Sequence, residues 1–129
     1  MKKKIIIIAN ASPINRLWEY RLKTDGHEVK VIDSCEDAID YLRNHKVDLA
    51  IVVEYSFISK DLNLIYNFGA NISDNLPMLS IIESYDNTFI DTIDSKRPNE
   101  YMEIPFRAAE LSFRVNRLFY GQINNSVMH

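Results

Sequence analysis

The stretch Lys4-Ile5-Ile6-Ile7-Ile8-Ala9-Asn10-Ala11-Ser12-Pro13 decides how this chain is read. An unbroken β-branched run predicts a strand buried on both faces, and such strands belong mainly to parallel sheets covered by helices. Ser12 followed by Pro13 predicts a helix N-cap with proline in the first helical position. The chain therefore opens as strand, short loop, helix. In open α/β sheets ligands bind just past the carboxyl ends of the strands, which here is the loop Asn10-Ala11. That loop carries no charge.

Outward from this start the same alternation repeats. Ile14, Leu17, Trp18 and Leu22 share one face of a helix expected from Pro13 to about Lys23, and Trp18 on that stripe reads as core. Asp25-Gly26 ends it, and His27 to Ile32 alternates as a strand with one wetter face. Ser34 with Asp37 three residues on predicts a capped helix ending near His45-Lys46. Asp48 to Val53 and Pro77 to Ile82 are two more apolar strands. Modest helices are expected around Leu62 to Gly69 and Thr88 to Lys96. Glu100 to Ile104 reads as a short last strand, and Arg107 to Tyr120 as an amphipathic helix with Leu111, Val115 and Leu118 on its stripe. Gly121 is expected to stop that helix. Residues 1–121 then form one domain, and 122–129 a tail or the start of a linker. Five strand–helix alternations call for an α/β fold, a doubly wound, five-stranded parallel sheet of order 2-1-3-4-5 with flavodoxin-like topology.

Composition narrows the function classes. The 129 residues are 47% hydrophobic and 26% charged, as in ordinary globular domains, and the net charge is −3. No overall basic field draws in nucleic acid or anionic lipid, and Lys2-Lys3-Lys4 reads as a solvated lead-in to the first strand. No apolar run approaches the ~20 residues of a membrane span. The apolar part of the opening is also shorter than the ~7–15 residues of a signal peptide. One cysteine, Cys35, excludes an intrachain disulfide and fits a reducing, cytoplasmic setting. Cys35 lies at a helix start, where a thiol pKa can fall, but no resolving cysteine exists, so it reads as a small buried thiol. His27, His45 and His129 have no metal-ligand spacing, and no cofactor or metal is expected.

Local sequence then becomes specific. Ser12-Pro13-Ile14-Asn15-Arg16, the stretch from Asp37 to Leu42 with Val47-Asp48-Leu49, and Glu100-Tyr101-Met102-Glu103-Ile104-Pro105-Phe106 resemble the receiver domain of two-component response regulators. The resemblance spans Lys3 to Tyr120 and implies the same fold. In receivers an acidic pair after the first strand and an aspartate ending the third hold Mg²⁺, and that aspartate accepts a phosphoryl group. Here the acidic pair maps onto Asn10 and Ala11. The acceptor maps onto Val53, or onto Glu54 if the alignment shifts by one residue. The hydroxyl residue ending the fourth strand maps onto Ile82 and the lysine of the fifth onto Ile104. Every one of these positions departs from the family.

Mg²⁺ needs oxygen ligands with carboxylate charge, and phosphoryl transfer depends on positioning and charge neutralisation. The resemblance therefore implies a pseudo-receiver: a non-enzymatic signalling module that acts by protein–protein interaction, with Ala11, Val53, Ile82 and Ile104 as an apolar plug. Glu54 in the acceptor position would imitate a phosphorylated aspartate; in the unshifted alignment it is a loop carboxylate. Receivers bind partners and dimerise through the face formed by their fourth helix, last strand and last helix. The corresponding residues are Tyr101, Phe106, Phe113, Arg114 and Arg117, with a homodimer through this face as one arrangement. Exposed aromatics beside arginines fit an interface. The competing expectations are phosphorylation at an unrecognised acceptor, or nucleotide or flavin binding on the same fold. The last would need a phosphate cradle that Asn10-Ala11-Ser12 does not supply.

Overall fold

In the computed structural model, which describes residues 2–9, 13–54, 75–82 and 100–128, the tetra-isoleucine run is strand β1 (Lys4–Ile8). Its four isoleucines are 1% exposed or less. Ile5 and Ile7 enter one core and Ile6 and Ile8 the other, so the strand needs no polar side. β1 pairs in parallel with β2 (Glu28–Ile32) on one side and β3 (Leu49–Glu54) on the other. β4 (Met78–Ile82) and β5 (Glu100–Glu103) follow, also parallel, giving the order β2-β1-β3-β4-β5. This is the doubly wound sheet expected from the sequence.

The ends of β1 are tied by polar groups. The Lys4 N–H donates to Asp48 Oδ2 at 2.8 Å and the Asp48 N–H donates to the Lys4 carbonyl at 2.8 Å. At the other end the Ala9 N–H donates to the Ile32 carbonyl at 3.0 Å.

Helix α1 (Pro13–Thr24) closes with a left-handed residue, Gly26, at φ 100°. The His27 N–H reaches the Leu22 carbonyl at 3.1 Å and the Gly26 N–H reaches the Lys23 carbonyl at 2.9 Å. This double closure is why glycine stands there, and why β2 begins at Glu28 rather than His27. Helix α2 (Cys35–Asn44) is capped by Ser34, whose Oγ accepts from the Asp37 N–H at 3.1 Å. Trp18 and Leu22 of α1 meet Leu111 and Val115 of the last helix, α3 (Ala108–Met128), in one core, and Ala38 of α2 enters the other.

Helix α3 corrects one expectation. Gly121 does not stop it, and the helix continues to Met128. A helical glycine costs about 1 kcal/mol relative to alanine, a small penalty for a helix already anchored by Leu111 and Val115. The helices expected around 62–69 and 88–96 lie outside the described residues. Among the described residues no helix is long and apolar enough to cross a membrane.

Candidate functional site

The carboxyl ends of β1, β3, β4 and β5 converge at one edge of the sheet. Val53 is 4% exposed and belongs to the core between the sheet and helices α1 and α3. Ile104, just past β5, packs against the same cluster. Val53 and Ile104 thus belong to one apolar body. Glu54 and Ile82 are the last residues of β3 and β4 and stand in register, with Glu103 next across the sheet. Val53 lies in the neighbouring row, opposite Ile81. Asn10 and Ala11 lie outside the described residues. Beside this edge a cleft of about 460 Å³ is lined by Ala9, Lys30, Ile32, Asp33, Asp37 and Tyr41. Among the described residues no three His, Cys, Asp or Glu side chains gather in a way that could hold a metal ion.

The β5–α3 face is organised by Glu100. Its carboxylate accepts from Arg114 Nη1 at 2.6 Å and from Arg117, while Arg114 also reaches Glu110 at 3.4 Å. The Arg117 guanidinium lies 5.9 Å from the Phe113 ring centroid. Phe113 is 62% exposed. An aromatic ring open to solvent thus stands beside two arginines held by one carboxylate.

Two members of that expected set are used differently. After the cis Ile104–Pro105 bond, Phe106 stacks on Trp18, with centroids 5.4 Å apart and planes 18° from parallel. It thus covers the core. Tyr101 is half-buried against the core on the α2 side of the sheet, across the sheet from Phe113. Strand alternation explains this: Glu100 and Met102 face α3, so Tyr101 between them cannot.

Three polar features were not visible as a site in the sequence. The Ser112 hydroxyl donates to Asp25 Oδ2 at 2.5 Å and accepts from Arg21 Nε at 2.8 Å, locking α3 to α1. His27 is 8% exposed, with its ring 5.7 Å from that of Phe119. Its Nδ1 is buried without a hydrogen-bond partner, and burial lowers its pKa. Cys35 is half-buried, and burial, with Glu36 beside it, raises its thiol pKa, so the helix start does not activate it.

No protein-family model matches the sequence, and no curated protein matches it either. Solved structures do resemble it. A response regulator from Thermotoga maritima superposes with a TM-score of 0.72 at 23% identity, covering 92% of this chain and 98% of that one. A CheY-like response regulator receiver domain protein from Methanospirillum hungatei JF-1 gives 0.77 at 13% identity, covering 97% and 99%. The CheY-like protein TadZ from Pseudomonas aeruginosa PAO1 gives 0.70 at 17% identity, covering 90% and 98%. The fold is that of CheY-like receiver domains.

Proposed function

We propose that this chain is a pseudo-receiver, a signalling module of two-component type that works by binding protein and carries no phosphoryl chemistry. The observation that carries this reading is the burial of Val53 in the apolar core, with Ile104 packed on the same cluster. In the ungapped alignment a receiver has its acceptor carboxylate where Val53 stands and its lysine where Ile104 stands; in the alignment shifted by one residue Glu54, which ends β3 in register with Ile82, takes the acceptor place. Val53 supplies no oxygen to Mg²⁺ or to phosphorus, and Ile104 supplies no positive charge to a phosphoryl group. Output then depends on partners met at the β5–α3 face, where Phe113 is exposed and Arg114 and Arg117 are held by Glu100.

The test is incubation with acetyl phosphate and Mg²⁺ followed by intact mass measurement. The expected spectrum is unchanged. A hydroxylamine-labile phosphoryl adduct would overturn the reading, and Glu54→Gln would show whether the residue ending β3 had accepted it.

A further inference from the structure

A cleft of about 600 Å³ opens at the amino ends of β3 and β4, the end of the sheet opposite to Val53 and Ile104. Its apolar wall is formed by Ile39 and Leu42 of α2, Val47 before β3, and Leu76 and Pro77 before β4. Local sequence explains why this wall stays open. Helix α2 has only 10 residues, and Ala38 is its one buried residue. Ile39 and Leu42 pack against the core on that side of the sheet yet remain half-buried. At His45 the chain leaves the helix in extended form, φ −139° and ψ 140°, and turns into β3.

The rim of the cleft is basic, although the chain as a whole carries a net charge of −3. Arg43 pairs with Asp40 at 2.9 Å, and both partners are exposed, so the pair is weak and its cation stays available. The His45 Nδ1–H donates to the Tyr41 carbonyl at 3.0 Å, and its ring stacks on Tyr41 with centroids 3.9 Å apart. That holds the imidazole in place and leaves Nε2 to meet a ligand. Lys46 makes no hydrogen bond or ion pair among the described residues. The one carboxylate on the lining, Asp48, already accepts from the Lys4 N–H at 2.8 Å.

We infer that this cleft binds a small amphiphilic anion, an aromatic or medium-chain aliphatic carboxylate or sulfonate. Its apolar body lies against Ile39, Leu42 and Leu76, and its charge meets Lys46 and His45. Size and composition agree with this occupant, since small-molecule sites commonly measure ~300–1,000 Å³ and are apolar with a few convergent polar groups. Charge complementarity selects an anion over a cation. The walls are also set before anything binds. Asp48 is tied to β1 in both directions, and the Ala50 N–H donates to the Pro77 carbonyl at 3.0 Å. Binding therefore orders little backbone. The cleft shares no residue with the strand ends or with the β5–α3 face, so the inference stands apart from the proposed function.

Fluorescence titration of the whole chain with anilinonaphthalene sulfonate tests this, followed by displacement with decanoate. The dye should saturate at a single site, decanoate should displace it, and the near-ultraviolet circular dichroism should stay that of a packed fold. Added salt should weaken the dye, because its charge is held at an exposed rim. Lys46→Glu should weaken it by about tenfold while leaving neutral phenylnaphthylamine unaffected. Lys46 is exposed, so that variant keeps the fold. Leu42→Trp should fill the cleft and weaken both probes. A dye that never saturates overturns the inference, as does one that binds Lys46→Glu and Leu42→Trp as it binds the parent. A neutral probe bound as tightly as the anion, both indifferent to Lys46→Glu, marks the cleft as a seat for an apolar protein segment and overturns the anionic ligand. Should Leu42→Trp fail to fold, Lys46→Glu decides alone.

Discussion

Trp18 and Phe106 stack almost in parallel, centroids 5.4 Å apart, and so pin the turn after β5 to the first helix. Residues from opposite ends of the sequence thus close one end of the core.

Phe106→Ala should expose that end. Truncating a fully buried phenylalanine costs about 3–5 kcal/mol, and the half-buried Phe106 should lose roughly half as much. Urea denaturation checks this. An unchanged midpoint would mean that the stack contributes no stability.

Val53→Asp and Ile104→Lys each place a charge in an apolar body, at the positions where the ungapped alignment puts the receiver's acceptor and lysine. Each should destabilise by several kcal/mol, roughly, with the larger loss for Val53→Asp. The long side chain introduced by Ile104→Lys can stretch its ammonium toward water, whereas a short carboxylate at the end of β3 cannot. The cost of Val53→Asp should shrink at low pH, where the buried carboxyl is neutral. Unchanged melting of both variants would indicate a polar pocket at the strand ends.

His27 makes stability depend on pH. Its folded pKa is lowered from the ordinary 6.5 by burial, opposed by Asp25 and reinforced by the N-terminus and Lys3. The unfolded chain therefore binds a proton that the folded chain refuses in the window below 6.5. The stabilisation is fully present above that value and is lost as pH falls toward the folded pKa. Denaturant midpoints should drop as pH falls below about 6.5, and His27→Phe should flatten that drop. A variant with the parent's slope would assign the effect elsewhere.

Ser112→Ala should cost about 0.5–1.5 kcal/mol, since it removes two hydrogen bonds while Arg21 and Asp25 still face each other at 3.5 Å. A double-mutant cycle with Arg21→Ala measures the coupling. Zero coupling would reduce the hydroxyl to a bystander.

Phe113→Ala with Arg117→Ala should leave the fold intact, because Phe113 is exposed and Arg114 still holds Glu100. Self-association or partner binding should weaken by ~1–3 kcal/mol. Equal binding by the parent and the folded variant would move the interface away from this face.

The fold was legible because its central strands are β-branched runs and its turns carry strong signals such as Ser34 and Gly26. Those features depend on neighbours in sequence. The fate of Phe106 and Tyr101 depended on distant ones: the first found Trp18, and the second was turned away from Phe113 by strand alternation. Gly121 misled for a related reason. Local propensity marks it as a break, but a helix whose earlier turns are already packed can continue through one weak position. The burial of Val53 was expected from its place in an apolar strand. The hub at Ser112 was not, since nothing in the sequence joins it to Arg21 and Asp25.

The four isoleucines of β1 also have a consequence for folding fidelity. Sliding that strand by two residues against its neighbours would put isoleucine on isoleucine, so its middle carries little information about alignment. The address is written at the margins, in the two-way bond between Lys4 and Asp48 and in the Ala9 N–H on Ile32. Two polar clasps decide where a greasy and otherwise interchangeable strand comes to rest.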